Sequence, residues 1–153
     1  MRILVSMCLL GVPCRYDGKS RPDAAVTALS AAHELVPVCP EQLGGLPTPR
    51  TPAERRGARV LTRDGRDVTQ AYLDGAQRAL DLARTLGCEA AVLKERSPSC
   101  GCGRIYDGTF SGALTDGDGV TAGLLARAGL RVVGESDAWR LAGLQEPVRR
   151  DQP

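Results

Sequence analysis

The sequence predicts a single α/β domain, a mainly parallel sheet with flanking helices and short β-hairpins. Short apolar runs alternate with helical patterns along the chain, the signature of parallel strands joined by crossover helices. Three of those runs also lead into a cysteine: residues 3–7 into Cys8, residues 35–38 into Cys39, and residues 90–93, closely followed by Cys100. Strand ends of a parallel sheet meet at one edge, so residues far apart in sequence are expected to converge there. A length of 153 residues suits one core, and 42% hydrophobic content is ordinary for a globular chain.

The first strand is followed by a loop over residues 9–19, with two glycines, a proline and the turn pair Asp17-Gly18. Val26, Leu29 and Ala32 place a helix over residues 23–33, with Pro22 tolerated at its start. The strand ending at Cys39 opens a segment, residues 40–52, with four prolines and Gly44-Gly45, which predicts a rigid, tightly turned backbone. Asp64-Gly65 predicts a hairpin between residues 59–62 and 66–68. Thr69 is read as the N-cap of a helix through Leu86, whose stripe is Tyr72, Ala76, Ala79, Leu80, Ala83 and Leu86, with Gly87 as its stop.

After the third strand, residues 94–103 form a loop, and Asp107-Gly108 predicts a second hairpin between residues 104–106 and 109–111. A helix over 120–128, a strand over 130–133 and a short helix over 137–144 complete a Rossmann-like arrangement. The domain is expected to occupy residues 1–145, with 146–153 as a tail that ends frayed.

Net charge is only +2, and the scattered arginines form no basic stripe, so no duplex nucleic acid partner is expected. One Phe, one Trp and three Tyr leave few platforms for stacking unpaired bases, and a small ligand is easier to accommodate. The apolar start meets Gly11, Pro13 and Arg15 rather than a cleavage-site pattern, and no run approaches the ~20 apolar residues that span a bilayer. The expectation is no membrane partner and a cytoplasmic location, where several cysteines point to metal binding or catalysis rather than disulfides. The sequence carries no signal of oligomeric state.

Six cysteines against one histidine favour sulfur-rich coordination. Cys88, just past a helix stop, reads as core packing. The other five lie in glycine- and proline-rich loops, without the paired knuckles of structural zinc or a Cys-x-x-Cys redox motif. An iron-sulfur cluster tolerates ligands from separate loops, and turn amides near Gly11, Gly44-Gly45 and Gly101 could donate to its sulfurs. Spacing alone leaves cluster, zinc, redox thiols and inert cysteines all open.

The residues around the cysteines are more specific. Val5-Ser-Met-Cys-Leu-Leu-Gly-Val-Pro-Cys-Arg-Tyr-Asp-Gly18, Pro37-Val-Cys-Pro-Glu-Gln-Leu-Gly-Gly-Leu-Pro-Thr-Pro-Arg50 and Leu93-Lys-Glu-Arg-Ser-Pro-Ser-Cys-Gly101 closely resemble the hallmarks of the domain of unknown function 523 family. Ile105-Tyr-Asp-Gly-Thr-Phe-Ser-Gly112 and Gly119-Val-Thr-Ala122 extend the resemblance over residues 1–134. The best-known activity of that family is thiouracil desulfidase.

The resemblance implies a 4Fe-4S cluster held by three thiolates, at Cys8, Cys39 and Cys100, with one iron open to a thiocarbonyl sulfur. It implies Glu41 and Ser97 as catalytic groups assisting water attack and proton transfer on a small thiolated nucleobase such as thiouracil. Cys14 is read as a neighbour of the ligands, and Cys102 falls outside the family pattern. Arg15, Arg50, Lys94 and Arg96 share the three loops and could offset cluster charge or bind substrate, while Asp17 is read as capping its own turn. The competing readings are a zinc- or cluster-bearing module that binds a nucleobase without altering it, and a thiol redox protein.

Overall fold

A computed structural model describes residues 1–143. Its centre is a four-stranded parallel sheet of β1 (Arg2–Ser6), β2 (Glu34–Val38), β5 (Cys88–Leu93) and β8 (Arg131–Gly134), in the order β2-β1-β5-β8. Alternation of side chains along each strand supplies two buried faces. Ile3, Val5, Ala90 and Val92 pack on one side with Val26 and Leu29, around α1 (Ala24–Ala28). Leu4, Val36, Ala91 and Leu93 pack on the other against α3 (Thr69–Thr85) and α4 (Val120–Arg127).

The chain leaves β1 toward β2 on one side and reaches β5 on the other, so the direction of winding reverses at β1. In open parallel sheets, ligands bind outside the carboxyl ends of the strands at such a reversal. A bond from Lys94 N to Ser6 Oγ, 2.9 Å, ties the ends of β1 and β5 together there. Among the described residues, no helix is long and apolar enough to cross a membrane.

Local chemistry sets the connections. The Asp23 carboxylate accepts from Val26 N at 3.0 Å and starts α1 there; the segment then tightens into a 3-10 turn (Leu29–Ala31) instead of continuing to His33. Residues 40–52, expected to be rigid and tightly turned, begin with a single helical turn, α2 (Pro40–Leu43), with proline at its first position, where no intrahelical donor is lost. The expected fourth strand runs one residue later than predicted, and the last helix is a 3-10 segment (Glu135–Arg140); Leu144 and the predicted tail lie outside the described residues.

Both hairpins differ from expectation. Asp64-Gly65 does turn the chain, and residues 60–62 meet 66–68 through the Leu61–Asp67 bridge and bonds from Thr62 N to Arg66 O, 2.8 Å, and from Val68 N to Val60 O, 2.9 Å, but the longer pairing of β4 (Arg59–Thr62) is upstream, with β3 (Ala53–Arg56). A two-residue turn containing Gly57 at φ 57 connects them. Likewise β6 (Arg104–Tyr106) pairs with β7 (Leu114–Asp116), skipping the predicted partner over 109–111. The amides of 108–110 are taken by carboxylates instead: Glu54 Oε1 accepts from Gly108 N and Phe110 N, and Asp107 Oδ1 from Thr109 N. A loop over 107–113 results.

Candidate functional site

Each of the three cysteine loops begins at the carboxyl edge of the sheet. Cys8 lies in a 3-10 turn (Met7–Leu10) directly after β1, closed by Gly11 at φ 94. Cys39 is the N-cap of α2, directly after β2. Cys100 follows β5 in a loop shaped by Ser97, whose Oγ accepts from Ser99 N and Cys100 N, both at 3.1 Å. Buried Ser99 in turn bonds Thr121 at 2.9 Å and pins this loop to the first turn of α4. A Cβ on Gly101 would fall 2.6 Å from Ile105 and 2.7 Å from the Ser97 carbonyl, so glycine there lets the Cys100 loop fold close.

The loops surround a cavity of about 730 Å³ whose lining includes Cys8, Cys14, Cys39, Cys100, Glu41 and Ser97. Its four cysteines are free and only 3% to 8% exposed. Cys88, at the opposite end of β5, and Cys102, exposed with its thiol 3.6 Å from the Val132 carbonyl, lie outside the lining.

The thiols are electrostatically unequal. Cys14 lies beside both Cys39, whose Sγ donates to the Cys14 carbonyl at 3.9 Å, and Cys8, and the three thiols compete: the ionisation of Cys14 is pushed up while theirs is pulled down. Cys39 falls to about 7, first through the Cys14 thiol, then through the Gln42 backbone N–H and, less, through Arg50. Cys8 is lowered first by Cys14, then by Lys94 and Arg15. Burial pushes Cys100 up to about 12, and the Ser6 hydroxyl offsets part of this.

Among the described residues, no three His, Cys, Asp or Glu side chains converge tightly enough to share one metal ion. Buried thiols lining one cavity, two of them with their ionisation lowered, and Lys94, Arg15 and Arg50 nearby, instead suit the charge and soft donor needs of a polynuclear, anionic cluster.

Glu41 is held by Arg50, one of the loop charges, and has Tyr72 nearby. Arg50 donates from Nε to Glu41 Oε2 at 2.6 Å, and its Nη2 reaches the Cys14 carbonyl at 3.0 Å. One side chain thereby joins the catalytic candidate of the second loop to the backbone of the first. Tyr72 of α3 is buried near it; burial first, then the charge of the Glu41 carboxylate, push its ionisation far up. In the sequence Tyr72 reads as one more apolar position of the α3 stripe. The signal available was its hydroxyl, which requires a partner when buried.

Close backbone approach of α2 and α3 brings Tyr72 near Glu41. A methyl on Gly75 would stand 2.0 Å from the Pro40 carbonyl oxygen, and one on Gly44 would stand 2.0 Å from that of Ala71. On the other side of the cavity, Lys94 Nζ pairs with Glu135 Oε1 at 2.6 Å, and Glu135 Oε2 also accepts from Glu95 N at 2.7 Å. Glu135 was unmarked in the sequence, because it reaches the site only through the pairing of β8 with β5. Asp17 accepts from Lys19 N at 3.0 Å, inside its own turn.

Residues 3–137 match the 2-thiouracil desulfurase family. The chain is 46% identical over 145 residues to the uncharacterized protein YbbK of Bacillus subtilis strain 168, an alignment covering 88% of this chain and 96% of that one. It is also similar to a solved structure, a 4Fe-4S-dependent thiouracil desulfidase, TudS, with a TM-score of 0.87 at 49% identity, over 92% of this chain and 95% of that chain.

Proposed function

We propose that this chain, which belongs to the 2-thiouracil desulfurase family, is a thiouracil desulfidase that replaces the sulfur of a thiolated nucleobase with oxygen from water. The observation that supports it most is one cavity lined by three cysteines from three strand ends together with a tightly held carboxylate. Cys8, Cys39 and Cys100 would hold a 4Fe-4S cluster. When bound, that cluster supplies an open iron, a soft Lewis acid suited to thiocarbonyl sulfur and able to retain sulfide.

The protein's own part is to activate water and to move protons. Glu41 accepts a proton from the water that attacks the thiocarbonyl carbon. Arg50 occupies its Oε2, and a carboxylate with about four lone-pair sites keeps capacity for the water. Two backbone N–H groups use the acceptor side of the Ser97 hydroxyl, which leaves its proton free to donate toward the leaving sulfur. A carbon-oxygen bond forms, the carbon-sulfur bond breaks, and the two water protons end on sulfide. No electron is gained or lost, so the reaction is a hydrolysis.

The test is sulfide and uracil production from 2-thiouracil by anaerobically reconstituted protein, in equal amounts and without added reductant. Binding of 2-thiouracil without release of sulfide would overturn the reading and leave a nucleobase-binding module.

A further inference from the structure

Aromatic residues are scarce in this chain, and four of its five line the same cavity: Tyr16, Tyr72, Tyr106 and Phe110. Tyr72 belongs to the packed face of α3 and is almost fully buried. Tyr16 is 42% exposed and carries Arg15 against its ring. Phe110 has no polar handle and belongs to neither packed face of the sheet; it sits half-buried in the loop between β6 and β7.

Its backbone is unusual. Among the described residues only Arg96 and Phe110 are non-glycine residues with positive φ, 69° and 56°, and both line the cavity. For a bulky side chain this conformation carries strain and persists only where its surroundings enforce it. Here the enforcement comes from Glu54 of β3, buried to 9% exposure, whose Oε1 accepts from Phe110 N at 3.1 Å and Gly108 N at 3.0 Å. Arg56 Nε holds the Gly108 carbonyl at 2.7 Å, and Asp107 Oδ1 holds Thr109 through N and Oγ1 at 2.9 and 2.6 Å. Burying a carboxylate is costly unless it is well bonded. This one serves to set the backbone at Phe110 rather than to fill the core.

We propose that Phe110 is the stacking platform for the nucleobase, a flat ring held at the wall of the cavity that the three cysteines also line. The Arg63 guanidinium lies 5.7 Å from the ring centroid. An apolar ring in a cavity otherwise rich in charged side chains offers a pyrimidine π-face contact that excludes water without specifying hydrogen bonds. Hydrogen bonding to the base edge and the chemistry fall to other groups. The assignment rests on the reading that the ligand is a thiolated nucleobase.

The experiment compares wild type, Phe110→Leu and Phe110→Tyr after anaerobic reconstitution. Leucine keeps apolar bulk and the same backbone strain but removes the π-face, whereas tyrosine keeps it. Iron content, kcat and KM for sulfide release from 2-thiouracil, and the Kd for uracil by calorimetry are measured. Phe110→Leu is expected to raise KM and the uracil Kd about tenfold, with iron content and kcat little changed, and Phe110→Tyr to stay near wild type. An unchanged uracil Kd in Phe110→Leu, or equal losses in both variants, would overturn the platform. A wild type that binds uracil through Phe110 yet releases no sulfide would overturn the desulfidase reading and leave the platform standing.

Discussion

Arg50 Nε donates to Glu41 Oε2 at 2.6 Å, with the two side chains only 7% and 14% exposed. A pair this sheltered is little screened by water, and removing one partner leaves the other charge buried without compensation. Glu41→Gln is therefore expected to keep the cluster and lower sulfide release by about 10²–10⁴, the range of a general base. Arg50→Gln is expected to lower the rate as well, through misplacement of Glu41. The check is iron content alongside turnover of 2-thiouracil; full turnover by Glu41→Gln would remove this residue from catalysis.

Tyr72→Phe deletes one hydroxyl and keeps the packing of α3. That hydroxyl is buried within reach of the Glu41 charge, and a dipole in a sheltered site acts on a charge more strongly than it would in water. Its removal is expected to appear as a loss in kcat of about tenfold, with KM and iron content unchanged. A merely structural tyrosine would instead lower the thermal midpoint and leave kcat alone.

Gly75→Ala sets two effects against each other. Helix propensity favours alanine by about 1 kcal/mol. Overlap with the Pro40 carbonyl at 2.0 Å opposes it, and overpacking costs typically 1–3 kcal/mol, more when the obstacle is backbone. The overlap is expected to win, so the urea midpoint should fall. A midpoint at or above wild type would show that α2 and α3 can separate freely.

Asp67 is held below the ordinary carboxylate value of 3.8, first by the Thr69 hydroxyl, then by Thr69 N–H, with Arg59 also contributing. A depressed folded-state value means that its stabilisation is full above the unfolded value and is lost as pH falls through the folded one. As pH falls through the ordinary value of 3.8 and below, the thermal midpoint of wild type should therefore fall more steeply than that of Asp67→Asn. Parallel curves would assign the ion pair no role.

The four strands of the central sheet were legible because each is a short apolar run, and the three loops because three of those runs end close to a cysteine. The Ala53–Arg56 strand escaped because Ala-Glu-Arg-Arg has no apolar alternation, and its pairing was set by a turn rather than by a buried face. The loop over 107–113 escaped because the carboxylate that shapes it lies 54 residues away from Gly108. Motif resemblance pointed to Cys8, Cys39, Cys100, Glu41 and Ser97, all of which line one cavity. It did not single out Tyr72, Glu135 or Glu54, since a side chain that acts through a partner is read from the fold, not from its neighbours in sequence.

Iron and acid-labile sulfide, counted after anaerobic reconstitution of wild type, Cys14→Ser, Cys8→Ser, Cys39→Ser and Cys100→Ser, test the cluster and its ligands together. About four irons per chain are expected in brown wild type and Cys14→Ser, and substantial loss in each of the other three. A colourless, iron-free wild type, or a Cys39→Ser protein with its full complement of iron, would contradict the account.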